Sequence, residues 1–380
     1  MYASNRTKVS SIAMVKKGCG SASLVNVRGS LCEARMQEGF TVQEITDLAV
    51  EILKKAGLEQ EVATVVGERL VEADLYGHNT HGLALLGKYV DEIDGGRMTT
   101  RGSPEAIADA GAMLLWDAKR LPGVWTTHLA VSMACEKAAQ FGCGVVAVRN
   151  SHHIASLATY LEQPARDGKL VMVLSSDPAT GHVAPFGGTS PVLTPNPIAA
   201  GIPASADPIL IDISTSITTA AQVQLAVAKG GHLPGMWGVD VQGHATDDPT
   251  AVRDGGALLP LGGLDHGHKG YGLSILVEAL TQGLSGFGRA DCPKGWGASV
   301  TALAFDPARL GGSESFLRQS DWLVNACRSA SVATGKPAVR MPGEAALARK
   351  KAAQVALRLD REIISTLQAL AARFGLHLQN

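Results

Sequence analysis

The chain reads as an α/β protein with its strands in the middle and helices at both ends. Residues 41–96 repeat apolar positions at helical spacing between capping signals, and residues 344–374 return to a helical stripe. Between them, from about Met113, short apolar runs alternate with Gly and polar breaks, as buried strands do. No dinucleotide fingerprint accompanies those strands. Gly286-Phe287-Gly288 comes nearest, but Asp291 holds the third glycine place and no strand precedes it. A nicotinamide cofactor would therefore need a non-Rossmann architecture.

Thr41-Val42-Gln43-Glu44 is a capping box opening a helix with Ile45, Leu48, Ala49, Ile52 and Leu53 on one side, ended by Gly57. A second helix carries Val62, Val65, Val66, Leu70 and Val71. A third carries Leu83, Leu86, Tyr89, Val90 and Ile93 and stops at Gly95-Gly96. The polar elbow Gly77-His78-Asn79-Thr80-His81-Gly82 joins them. Residues His128–Gln140 read as a helix; Gly144–Val148, Leu170–Leu174 and Ile209–Ile213 read as strands. Pro178–Pro208 is loop-rich, a length more often functional than idle. A glycine-rich turn (Gly262, Gly263, Gly267, Gly270) carries Lys269 into a helix apolar on nearly every side, which predicts burial. Its free N–H groups beside Lys269 form an anion-binding corner; a solvated lysine on a glycine-eased turn is the equal alternative. The tail Glu344–Phe374 reads as helical, with Leu359, Ile363, Ile364, Leu367 and Leu370 as its stripe.

The chain has 380 residues, 46% hydrophobic and 18% charged, with net charge −1, enough for a large core and two intertwined lobes. Near-neutral charge with few aromatics argues against nucleic acid as a partner. No apolar run approaches the roughly 20 residues that span a bilayer. Six scattered cysteines without a C-x-x-C pair fit a reducing cytoplasm rather than structural zinc or a disulfide framework. No metal is expected: His152-His153 and Asp265-His266-Gly267-His268 lack the i,i+4 geometry of a zinc helix. Residues 1–40 are basic and rich in Ser and Gly. They read as a disordered extension or a stretch upstream of the true start, with a transit peptide as the competing reading.

Ser151-His152-His153, Ala184-Pro185-Phe186-Gly187-Gly188, Asn196-Pro197, Asp212-Ile213-Ser214-Thr215-Ser216, Leu259-Pro260-Leu261-Gly262-Gly263 and the Lys269 helix follow one another in order. In that succession, from about Thr41 to about Gly375, the chain resembles the malate/L-lactate/L-sulfolactate dehydrogenase family. That family includes ureidoglycolate dehydrogenase, diketogulonate reductase and cyclic-imine carboxylate reductases. The resemblance implies a non-Rossmann L-sulfolactate-dehydrogenase-like fold. Its mixed-sheet NAD(P)-binding domain would span 113–299, and a helical outer domain 41–112 plus 300–380. It implies hydride transfer between NAD or NADP and a small 2-hydroxy, 2-keto or 2-imino acid, in a homodimer. A cyclic-imine or ureidoglycolate-type activity and a non-catalytic nucleotide-binding homologue are the alternatives.

The same resemblance assigns roles. His153 becomes the acid/base and His81 its rival, beside the hydroxyl of Thr80; a loop-bonded His153 and a capping Thr80 are the bland readings. Asn196 falls on the substrate side. Ser176, Asp212, Ile213, Ser214, Lys269, Gly295, Trp296 and Gly297 fall on the cofactor side. Asp212 is equally placed to cap a following helix. Leu85 stands where the family commonly has an arginine, Pro195 interrupts the usual Gly-Thr-Asn-Pro, and Gln222 replaces a frequent lysine. If Leu85 faces the pocket, an apolar wall replaces a carboxylate clamp and dicarboxylates become poor substrates.

Overall fold

In a computed structural model, which describes residues 39–353 and 356–378, the strands join into one seven-stranded mixed sheet and one small three-stranded sheet. The helices α1 (Val42–Ala56), α2 (Gln60–Tyr76) and α3 (Leu86–Asp94) come first. The capping box forms as expected: Glu44 N donates to Thr41 Oγ1 at 3.2 Å and Thr41 N donates to the Glu44 carboxylate at 3.0 Å. Gly57 and the left-handed Gly77 end the first two helices. The elbow becomes two 3-10 turns, Asn79–His81 and Leu83–Leu85, so α3 begins at Leu86, later than the apolar spacing predicts. Thr80 does not cap it; its hydroxyl meets His81 instead.

The main sheet contains β1 (Glu105–Asp109), β2 (Met113–Asp117), β3 (Cys143–Ser151), β4 (Leu170–Ser176), β5 (Ile198–Ile202), β6 (Ile209–Ile213) and β10 (Ala298–Phe305), in the order β1-β2-β3-β10-β4-β5-β6. Helix α4 (Gly123–Phe141) carries the chain between the parallel neighbours β2 and β3; the other pairs are antiparallel. Short α5 (Glu162–Arg166) precedes β4, and α6 (Ala220–Ala228) and α7 (Pro249–Arg253) flank the small sheet of β7 (Gly238–Val239), β8 (Ala245–Thr246) and β9 (Ala257–Leu258). Then come α8 (Gly263–Glu278), a π-turn over Ala279–Gly283, and, after β10, α9 (Ser313–Arg328), α10 (Glu344–Ala353) and α11 (Arg361–Arg373).

Four expectations need correcting. The tail is two helices, because Leu357 leaves helical geometry to pair with Phe40. Phe40 is buried in the α1–α3 core, so a boundary at 40 cuts into the body; residues 1–38 lie outside the described residues. A domain boundary at 299/300 falls inside β10, the strand between β3 and β4. Finally, α8 turns its small residues Gly263, Gly267, Gly270 and Ser274 inward with Val277, and leaves Leu264, Leu273, Ile275 and Leu276 exposed in the single chain. The inward glycines permit the approach: a Cβ on Gly270 would strike the Leu261 backbone.

Two apolar clusters organise the interior. One joins α1–α3 to Ile363, Ile364, Leu367 and Ala371 of α11, so the two ends of the chain share a core. The other packs Ala130, Val131, Ala134 and Ala138 of α4 on Val146, Val148, Val171, Val173 and Val300 of the sheet. Among the described residues no helix is long and apolar enough to cross a membrane.

Candidate active site

Strand register gathers the sequence-derived candidates along one edge of the main sheet. Ala298 lies opposite Ser151, Ser299 opposite Ser176, Leu174 opposite Ile198, and Ile198 opposite Ile213. Four loops therefore leave the sheet at one end, carrying His152-His153, Gly295-Trp296-Gly297, Thr194–Pro197 and Ser214. Convergence of loops at one sheet edge is how open α/β sheets build ligand sites.

The centre is aromatic. His153 stacks on Trp296 with ring centroids 4.1 Å apart and planes at 24°, and His81 lies 6.0 Å from His153. Tyr89 of α3 brings its hydroxyl to 3.1 Å from His153 Nδ1, and the Ala155 N–H donates to the same nitrogen at 3.3 Å. An amide can only donate, so His153 Nδ1 is an acceptor and the neutral ring carries its proton on Nε2. Burial, with His81, His152 and Lys88 around it, pushes the His153 pKa well below the ordinary histidine value. His81 differs: its Nδ1 meets the Thr80 hydroxyl at 2.9 Å, a partner able to donate or accept. Burial and then His78 bring its pKa down to about 4.

His152 faces the other way. It is buried, its Nε2 lies 3.1 Å from Glu92 Oε2, and it meets Trp296 edge-on at 5.3 Å. Arg97 holds the same carboxylate at 3.0 Å, and Arg120 donates to the Trp296 carbonyl at 3.1 Å. This network holds the tryptophan. A cavity of about 560 Å³ adjoins it, lined by Lys88, Asp177, Thr180, His182, Lys294, Gly295 and Trp296 among others. Lys88 was not among the residues singled out by sequence; its signal is a lysine directly before the buried Tyr89, on the helix that the elbow opens.

A second cavity of about 530 Å³ lies at the β6 end, lined by His78, Asp212, Arg340, Gly343 and Arg349 among others. Asp212 caps no helix; Thr219 caps α6, while Asp212 Oδ2 accepts from the Ala158 N–H at 2.9 Å. Burial raises its pKa to about 6. In the sequence Glu344 onward read only as helical, with no role for Arg340 or Arg349; an arginine ahead of Pro342-Gly343 was the available signal. A carboxylate for ribose hydroxyls and two arginines for phosphate are a donor set that fits the adenosine side of a dinucleotide.

The remaining candidates sit elsewhere. Ser176 is buried, with its hydroxyl 2.7 Å from Thr281 Oγ1 and accepting from Gln282 at 2.9 Å. Asn196 is buried at positive φ, accepts from Thr194 at 2.6 Å and donates to Ser274 and Glu278 at 2.9 Å, so its amide fastens the β5 loop to α8. Ser214 donates locally to the Ser216 carbonyl, Ile213 is largely exposed, and Lys269 is exposed on α8 beyond a break in helical geometry at His266. Gln222 is exposed on α6 and lines neither cavity. Leu85 packs, partly buried, against the α1–α3 core and is among the lining residues of neither cavity. Among the described residues no three His, Cys, Asp or Glu side chains converge as a metal site.

The chain belongs to the malate/L-lactate dehydrogenase family, whose model matches residues 40–368. The malate dehydrogenase of Pyrococcus abyssi is 36% identical over 247 residues, 64% of this chain and 67% of that one. The Δ1-pyrroline-2-carboxylate/Δ1-piperideine-2-carboxylate reductase of Pseudomonas syringae pv. tomato is 34% identical over 291 residues, 74% of this chain and 82% of that one. The solved malate dehydrogenase of Entamoeba histolytica superposes with a TM-score of 0.85 at 25% identity, covering 90% of this chain and 99% of its own. The fold is thus the expected sulfolactate-dehydrogenase-like one, and the chain is an NAD(P)-dependent oxidoreductase acting on small hydroxy or imino acids.

Proposed function

We propose that His81 carries the proton of the reaction while His153 holds the reacting oxygen or nitrogen through a fixed Nε2–H. The observation that carries this is the contrast at the two Nδ1 atoms: an amide donor beside the Tyr89 hydroxyl on His153, a hydroxyl alone on His81. A second proton on His153 would break its bond to Ala155, whereas His81 can gain one and keep Thr80. This reverses the order in which sequence alone placed the two histidines. In the oxidative direction, neutral His81 accepts the hydroxyl proton as the C–H hydride departs; in reduction it returns the proton. When bound, the nicotinamide supplies or receives the hydride. Tyr89, Trp296 and the His152–Glu92 pair hold the geometry.

For the cofactor, we assign its adenosine side to the cavity of Asp212, Arg340 and Arg349, and its nicotinamide side to the Gly295–Gly297 loop. We also propose a homodimer, supported by the exposed leucines and isoleucine of α8. A cytoplasmic location is supported by the free Cys135, Cys143, Cys292 and Cys327. A spectrophotometric screen of pyruvate, oxaloacetate and cyclic imino acids against NADH and NADPH tests the reading. Consumption of either reduced cofactor with at least one acid is expected; none with any of them would overturn it.

A further inference from the structure

We propose that Lys88, seated on Trp296 at the cavity that both line, is the cation that binds the carboxylate of the reacting acid. This deepens the proposed function and rests on it. Any 2-hydroxy, 2-oxo or 2-imino acid brings a carboxylate bonded directly to the carbon that exchanges hydride. A cation must then lie within one small molecule's reach of the acid/base histidines.

Lys88 is the cation that shares an aromatic neighbour, Trp296, with His153. Its Nζ sits 3.5 Å from the Trp296 ring centroid, and that same side chain stacks on His153 at 4.1 Å. The ammonium is close enough to depress the His153 pKa, and enclosure lowers that of Lys88 itself. Its side chain remains accessible from the cavity it lines. Among the described residues it has no hydrogen-bonded or ion-paired partner, only the indole face. The neighbouring carboxylates are already engaged. Asp177 accepts from Ala179 N at 2.8 Å and from Thr180 Oγ1 at 3.1 Å, and Glu92 holds Arg97 and His152.

The other cations nearby are committed or loosely placed. Arg289 pairs with Glu278 at 2.8 Å, and Arg120 serves backbone carbonyls. Lys294 lines the same cavity and, like Lys88, is exposed, but among the described residues it is seated on no aromatic ring. Leu85, three residues before Lys88, turns into the helical core. The cation thus arrives one helical turn later on the same segment than the resemblance implied. An aromatic seat orients the ammonium without neutralising it, which leaves its charge for an incoming anion.

The test is binding of oxamate, a 2-oxo acid analogue that cannot be reduced, to the complex with whichever reduced nicotinamide cofactor binds. It would be followed by calorimetry in the full chain and in Lys88→Met, Lys88→Arg and Lys294→Met. Lys88→Met should weaken oxamate roughly 10- to 100-fold with cofactor affinity unchanged. Lys88→Arg should recover most of the loss, and Lys294→Met should change little. In turnover, KM for the best acid should rise more than kcat falls. Loss of less than twofold in Lys88→Met, an equal loss of cofactor affinity, a larger effect at Lys294, or no oxamate binding by wild type would each overturn the anchor. Failure of the underlying reading is separate: it appears as absence of cofactor oxidation with every acid, whatever oxamate does.

Discussion

At the scale of single residues, His153 and His81 differ in what their Nδ1 atoms meet, and that difference predicts different losses. His81→Ala should lower kcat by about two to four orders of magnitude with cofactor affinity unchanged, as removal of a proton carrier does. His153→Gln keeps a donor and should be milder. The pH profile separates them further. Oxidation needs neutral His81, whose pKa is lowered from 6.5 to about 4, so the base form persists into acid. The kcat/KM for hydroxy-acid oxidation should therefore stay level through pH 6 and fall only toward pH 4; an acid limb at the ordinary histidine value would count against His81. Leu85 supplies a second contrast. Because it packs on the α1–α3 core, Leu85→Arg should cost about 1–3 kcal/mol of stability and leave the preference between oxaloacetate and pyruvate unchanged. A clear shift toward oxaloacetate would place this side chain in the pocket after all.

At the scale of elements, the elbow before α3 depends on one carboxylate at the end of α2. Asp74 accepts from the Leu83 N–H at 2.7 Å, and a Cβ on Gly82 would collide with it. Burial raises the Asp74 pKa from 3.8 to about 7. A carboxyl with a raised folded pKa contributes fully below pH 3.8 and loses that contribution as pH climbs to about 7, because the folded state binds the extra proton in that window. Asp74→Asn keeps the acceptor and removes the charge. Its Tm should match wild type near pH 4 and exceed it at pH 8, checked by thermal melts at both; a constant difference would refute the coupling. Gly82→Ala should lower Tm at either pH and slow turnover, since it displaces the turn that bears His81. What was legible in the sequence follows the same physics. The capping box at Thr41, the glycine stops and the apolar stripes of α1 and α2 are local signals, and they predicted those helices. β10 was missed because Ser299, Thr301 and three alanines give it no bulky run, although it lies between β3 and β4. α8 was read as buried because apolar content alone does not say which face turns inward; here the glycines do. Lys88 went unnoticed because its partner, Trp296, lies far along the chain and meets it only through the fold.

At the scale of the whole molecule, the proposed dimer would couple assembly to the site through the exposed face of α8. Asn196 ties the β5 loop to Ser274 and Glu278 of α8, and Ser176 is held by Thr281 and Gln282 of the following π-turn. The helix that presents leucines outward is therefore the one that steadies the sheet edge where the loops converge. Leu273 and Leu276 are 37% and 51% exposed in the single chain, with Leu284 at 50% beyond them. A second copy covering this face would remove those side chains from water, at roughly 1.5–3 kcal/mol for each one fully buried. Leu276→Glu would instead place a charge in the covered face, which costs several kcal/mol unless a partner neutralises it. Light scattering should show wild type at twice the chain mass and Leu276→Glu shifted to a single chain at micromolar concentration, with its helical circular dichroism retained. If α8 needs that support to hold Asn196 and Ser176 in place, kcat should fall in the dissociated variant and return at concentrations that restore the dimer. A wild-type single chain with full activity would sink both the assembly and its link to the site.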